Sequence, residues 1–175
     1  MHLTFNQDIV GSSPTGHIKR ERKEIGKYMF NLIEYLYFKQ KHNLAFHDRQ
    51  TKVYNRNWWE LKAKKLFAKD RIYVTILDLN CLKQINDSQG HHRGDELIFL
   101  FSKKIKKFFP QDKICRLGGD EFLILSKYSP FLRLEAMKEN FSYFSYGYSL
   151  KNKDDSLSKA LKEADKKMYE MKNYK

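Results

Sequence analysis
The run Arg116-Leu117-Gly118-Gly119-Asp120-Glu121-Phe122 limits what this chain can be more than any other stretch. Two consecutive glycines lack a Cβ, so they allow a tight turn and a close approach of backbone to a ligand. Asp120 and Glu121 follow at once. Largely apolar stretches flank the turn, at 114–117 and at 122–125. The pattern predicts a β-hairpin with paired acids at its tip. Paired acids at a backbone-tight turn suit a hard cation such as Mg²⁺, which takes oxygen ligands and usually arrives with phosphates. Taken alone, the run is equally an ordinary Gly-Gly hairpin with a solvated tip.

A second constellation bears on that choice. Residues 71–78, Arg-Ile-Tyr-Val-Thr-Ile-Leu-Asp, read as a buried strand that ends in a carboxylate. Ligands of α/β sheets bind beyond the carboxyl ends of strands, so Asp78 is well placed for a metal. Asn80, Lys83, Asn86, Asp87, Gly90, His91, Gly94 and Asp95 then crowd the segment before the amphipathic run 97–109. A plain surface loop is seldom so dense in chemically distinct groups.

The two constellations together resemble the GGDEF family of diguanylate cyclases. The resemblance is carried by Asp78 to Asp87, Gly90-His91, Gly94-Asp95 and Gly118 to Phe122, with His47-Asp48, Thr51 and Asn55-Arg56 as an opening motif. It covers about residues 46–173. It implies an α/β (α+β) domain with a mixed central sheet of about five strands covered by helices. It also implies condensation of two GTP into cyclic di-GMP by a homodimer that uses Mg²⁺ or Mn²⁺.

Site roles follow from the resemblance. Asp78 and Asp120 are expected to bind metal, with the Leu79 carbonyl as a further ligand. Glu121 stands beside the metals and helps activate the 3′-hydroxyl. Gly118 and Gly119 let backbone lie against the nucleotide. Lys83 and Lys172 reach the β- and γ-phosphates, which backbone N–H groups of the Leu79–Lys83 turn, Leu82 included, also cradle. Asn86 and Asp95 read the guanine edge. A carboxylate accepts from guanine N1–H and N2–H₂, donors that adenine lacks. Family members that use ATP are altered at the Asp95 position, so GTP is the expected substrate.

Departures from the family pattern are specific. Asn80 replaces a frequent second acid, and Gln50 and Lys52 stand where Leu and Gly are usual. The family's product-inhibition site pairs an Arg at the position of Phe109 with an Asp at the position of Asp112. A phenyl ring cannot pair bidentately with phosphate or guanine, so feedback inhibition through that site is expected to be weak or absent. The sequence ends at Lys175, before a phosphate-binding Arg often found four residues past Lys172. The altered opening motif and the missing C-terminal Arg keep a second reading open, a catalytically weak domain that senses a nucleotide or serves as an interaction module, while the missing product-site Arg disfavours a product sensor through that site.

A net charge of +13 invites a nucleic-acid reading. The basic residues are spread over 19–27, 62–71, 103–107 and 159–167 without a nucleic-acid motif, so a basic surface that attracts anionic GTP is preferred. Cys81 and Cys115 lack zinc spacing and read as small apolar strand-end residues; with no secretory signal they suggest a reducing, cytoplasmic setting. No stretch approaches the roughly 20 apolar residues of a membrane span.

Three segments are expected: a flexible arm at 1–18, a helix at 19–45 and the catalytic domain at 46–175. Ile25, Met29, Leu32, Ile33 and Leu36 recur at helical spacing. That stripe either packs on its own domain or forms a dimer seam. A size measurement on a chain lacking residues 1–45 separates the two, since an unchanged dimer defeats the seam. Further helices are predicted over 57–69, near 82–88, and at 95–108, 130–139 and 156–171, with Trp58, Leu61, Leu66 and Phe67 facing the core. Residues 141–149 alternate aromatic and small, as a strand does. His91 reads as structural.

Overall fold
A computed structural model describes residues 14–173 and divides the chain into two units, residues 1–42 and 43–175. Helix α1 runs over Pro14–Phe46. It starts ahead of the predicted residue 19, at a proline whose fixed φ and missing N–H suit a first turn. Residues 1–13 of the predicted arm lie outside the described residues. In the first unit the predicted stripe, Ile25, Met29, Leu32, Ile33 and Leu36, is 52–60% exposed.

The second unit is built on one five-stranded sheet in the order β1-β3-β4-β2-β5. Its strands are β1 (Tyr54–Asn55), β2 (Ile72–Leu79), β3 (Lys113–Gly118), β4 (Glu121–Ser126) and β5 (Phe144–Lys151). β1 and β3 are parallel, and every other neighbouring pair is antiparallel. The mixed sheet expected from the resemblance is therefore present. β2 lies between β4 and β5, and all but one of its residues are buried.

Pleating divides the β2 side chains between two cores. Leu77 and Leu79 join Phe122, Ile124, Phe144 and Tyr146 on one face. There they meet α4 (Leu82–Gln89), α5 (His91–Phe108) and α6 (Phe131–Asn140) through Leu82, Ile98, Phe101, Ile105, Leu134 and Met137. Ile72, Val74 and Ile76 join Leu123 and Leu125 on the other face. That face is covered by α7 (Leu157–Asn173) and by the joined turns α2 (Arg56–Trp58), a π-helical turn (Trp59–Ala63) and α3 (Lys64–Leu66).

The π turn corrects one expectation. Leu61 and Leu66 are 59% and 63% exposed, while Trp58, Trp59 and Ala63 are buried. The i→i+5 turn takes in an extra residue and so rotates the buried face away from the 3.6-residue period. Both tryptophans are core residues and offer no platform for bases.

The aromatic-small alternation of β5 has a packing cause. Phe144, Tyr146 and the partly buried Tyr148 pack in the first core. Ser145, Gly147 and Ser149 lie under α7, which comes so close that Ser149 Oγ donates to Ala160 O at 2.6 Å. At the end of the strand, Lys151 is 1% exposed, and its Nζ donates to the carbonyls of Ala68 (3.0 Å), Asp70 (2.9 Å) and Asn152 (2.9 Å). This ammonium joins the loop before β2 to the loop after β5. Lys151→Met should cost about 2–3 kcal/mol, because orphaned buried carbonyls lose most of their solvation. Urea denaturation of wild type and variant measures it.

Candidate active site
The β3–β4 turn is held from three directions. Gly119 has φ +44°, in the left-handed region where a side chain is strained. Leu79 N–H donates to Asp120 O at 3.1 Å, tying the turn to the end of β2. Arg116 donates through Nε (3.0 Å) and Nη2 (2.8 Å) to Gly119 O. Its Nη1 donates to Gln50 Oε1 at 2.7 Å and to Asp48 Oδ1 at 3.3 Å. Arg56 Nε reaches Leu117 O at 2.5 Å. Neither Arg116 nor Gln50 was singled out for a role from sequence, because these partners are far apart along the chain.

Antiparallel register sets Asp78 directly opposite Glu121. Asp78 is 6% exposed, and Lys172, at the last turn of α7, donates to its Oδ1 at 2.7 Å. Burial raises the Asp78 pKa and the Asp120 charge adds to it, against the Lys172 hydrogen bond. Burial, then Asp78 and Asp120, also raise the Glu121 pKa. Burial lowers the Lys172 pKa, but the bond to Asp78 and the surrounding acids outweigh it and leave it raised. The group is thus short of positive charge. Asp78, Asp120, Glu121 and Lys172, predicted from separate motifs, meet at one end of the sheet.

The phosphate-cradle prediction is narrowed. The Leu79 and Asn80 N–H groups are committed to Asp120 O and Tyr143 O. Residues 81–83 open α4, where first-turn N–H groups have no intrahelical partner. The Leu82 side chain is a core residue, so only its backbone faces a ligand role. Lys83 is exposed. Cys81, expected as a small apolar strand-end residue, instead precedes α4 two residues past the end of β2, exposed and with φ +65°. Cys115 is buried, and burial pushes its thiol up to about 12. Both are free thiols.

Asn86 and Asp95 lie across the α4–α5 junction. α5 starts at His91 rather than at the predicted 95, and both His91 and Asp95 are exposed. Asn86 Oδ1 is buried with no hydrogen-bond donor among the described residues. A Cβ on Gly94 would lie 1.9 Å from that atom, so glycine there is what lets the Asn86 amide lie against α5. Gly94→Ala should displace the amide and cost about 1–3 kcal/mol, the scale of overpacking a close contact. Urea denaturation of wild type and variant checks it.

A family model described as diguanylate cyclase, GGDEF domain, matches residues 45–141. The chain belongs to the GGDEF family. The probable diguanylate cyclase DgcI of Escherichia coli K12 is 29% identical over 145 residues, 82% of this chain and 33% of that protein. The bifunctional diguanylate cyclase/cyclic di-GMP phosphodiesterase MucR of Pseudomonas aeruginosa is 40% identical over 88 residues, 47% of this chain and 13% of that protein. The chain therefore spans a third or less of these relatives' length. In structure it is similar to the coiled coil and GGDEF domain of DgcB from Caulobacter crescentus in complex with c-di-GMP. That match has a TM-score of 0.74 at 21% identity over 90% of this chain and 95% of the other, and it shows the fold. A microbial GGDEF domain solved with cyclic di-GMP matches at TM-score 0.67 and 27% identity over 74% of this chain and 94% of the other.

GGDEF diguanylate cyclases generally use a divalent metal. Among the described residues no three His, Cys, Asp or Glu side chains form a ready-made cage. Mg²⁺ commonly needs only one or two carboxylates plus substrate phosphates. Asp78 and Glu121, both with raised pKa values, first through burial, lie together with the Lys172 ammonium drawn to Asp78.

At the product-inhibition position Phe109 is fully buried. Arg133 pairs with Asp112, and its guanidinium lies 4.5 Å from the Phe109 ring centroid. Asp112 is thus engaged within the fold. Among the described residues no helix is long and apolar enough to cross a membrane.

Proposed function
We propose that this chain is a diguanylate cyclase that condenses two GTP into cyclic di-GMP and two pyrophosphates. The observation that carries the reading is the meeting of Asp78, Asp120, Glu121 and Lys172 beside the glycine turn. In each half-reaction the 3′-oxygen of one GTP bonds to the α-phosphorus of the other. The bond from that phosphorus to the bridging oxygen breaks, and pyrophosphate leaves.

Asp78, Asp120 and the Leu79 carbonyl, with Glu121 beside them, would hold Mg²⁺ or Mn²⁺, which when bound would supply charge neutralisation to the phosphates. Glu121 takes the 3′-hydroxyl proton. Gly118 and Gly119 let the turn lie against the nucleotide. Lys172, which donates to Asp78 at 2.7 Å, and the exposed Lys83 bind the β- and γ-phosphates, and the N–H groups of 81–83 cradle them. Asp95 accepts from guanine N1–H and N2–H₂, and Asn86 supplies its amide to the base.

Each domain holds one GTP, so two copies must face each other. The exposed stripe Ile25, Met29, Leu32, Ile33 and Leu36 supplies the seam of a homodimer. The Arg133–Asp112 pair supports weak or absent product inhibition. The free thiols agree with a cytoplasmic setting. The test is base selectivity of turnover: GTP should yield cyclic dinucleotide and ATP should not. Equal turnover of both, or cyclic di-AMP alone, would refute the assignment.

A further inference from the structure
Gln50 stands where the family pattern has Leu, and its amide bridges the two halves of the site. Oε1 accepts from Arg116 Nη1 at 2.7 Å, and Nε2 donates to the Asp95 backbone carbonyl at 2.9 Å. Arg116 holds Gly119 O with its remaining donors. An unbroken chain thus runs from Asp95 through Gln50 and Arg116 to the turn that carries Asp120 and Glu121.

We infer that Gln50 is a positioning residue that sets the distance between the guanine-reading end of the site and its reacting end. The inference rests on the proposed roles of Asp95 and Glu121. The Gln50 amide has the required inventory, an acceptor for Arg116 and a donor for a carbonyl, on two separate atoms. Leu supplies neither, Glu cannot donate, and Lys cannot accept. Asp48 keeps Arg116 aimed along this line. Burial opposes its ionisation, but the Thr51 hydrogen bonds and the Arg116 charge outweigh it and hold the carboxyl below its usual range. Asp48 Oδ1 accepts from Thr51 N at 2.8 Å and Thr51 Oγ1 at 2.6 Å.

The bridge joins a ground-state contact, the base, to a transition-state contact, the acids. Cutting it should alter how binding of the base is converted into rate. GTP and ITP differ only at the guanine 2-amino group, one of the donors assigned to Asp95. Gln50→Leu cuts both arms and should narrow the GTP/ITP ratio of kcat/KM about tenfold and lower kcat for GTP by a similar factor, on the scale of one or two net hydrogen bonds. Gln50→Glu keeps the Arg116 arm and loses the Asp95 arm, so it should narrow the ratio while kcat for GTP stays within about threefold.

The experiment measures kcat, KM, Mg²⁺-dependent GTP and ITP binding, and the thermal midpoint for wild type and both variants. Expected is a narrowed ratio with an unmoved midpoint. An unchanged ratio in Gln50→Leu, or a loss of rate that only follows a fallen midpoint, overturns the inference. If the wild type makes no cyclic di-GMP yet its GTP/ITP binding preference narrows in both variants, the cyclase reading fails and the positioning role stands. If turnover is present and the preference does not move, the positioning role alone fails.

Discussion

Glu121→Gln is expected to cut cyclic di-GMP formation by at least about 10²–10³-fold, as removal of a preorganised electrostatic group commonly does. The same substitution should raise the thermal midpoint at neutral pH, measured without divalent metal. The sign follows from the pKa. Burial, then Asp78 and Asp120, hold the Glu121 carboxyl above its ordinary value in the folded chain. A folded pKa above the unfolded one contributes stability that is fully present below the unfolded pKa and is lost as pH rises through the folded value. At neutral pH the ionised group therefore opposes folding, and a neutral amide removes that cost. The gain should shrink as pH falls toward the carboxylate range, where wild-type Glu121 takes up its proton. Melting curves at neutral and mildly acidic pH, beside a turnover assay, measure both halves. A lower midpoint at neutral pH would mean that Glu121 is a structural ion-pair partner rather than a strained functional acid.

Gly147→Ala should be among the most damaging single-methyl changes in the chain. A Cβ at this position would lie 2.1 Å from Ala164 O and 2.3 Å from Met168 N. These are backbone atoms of α7, so no rotamer change relieves the contact, and the helix must move off the sheet. Overpacking of this kind costs about 1–3 kcal/mol or more. That lowers the midpoint of a domain this size by roughly 2–4 °C per kcal/mol. The displacement also reaches function, because α7 carries Lys172 to Asp78. GTP affinity should fall together with stability. Urea denaturation and nucleotide titration on one sample give both; a variant within about 0.5 kcal/mol of wild type would contradict the close helix–strand approach.

The acidic turn, Asp78 and the helix that became α7 were legible in the sequence because each is a local pattern. The alternation in 141–149 was also legible, but its cause was not: the small residues of β5 are a response to α7, which lies later in the chain. β1 escaped notice because two residues carry no periodicity, and its parallel pairing to β3 brings together positions such as Tyr54 and Cys115. Leu61 and Leu66 were assigned to the core by assuming a regular helix, which the π turn at Trp59–Ala63 breaks. The network of Arg116, Gln50, Asp48 and Asp95 joins three separate stretches of chain, and hydrogen bonds of that range leave no spacing signal. Lys151 reads as a surface cation until its carbonyl partners, some eighty residues distant, are seen in space.

The measurement that bears most directly on the central claim is product analysis after incubating the purified chain with GTP and Mg²⁺, beside Asp120→Ala and Glu121→Ala. The account predicts cyclic di-GMP and pyrophosphate from the wild type and neither from the two variants. Bound but unconverted GTP in the wild type, or product formed equally by all three proteins, would contradict it.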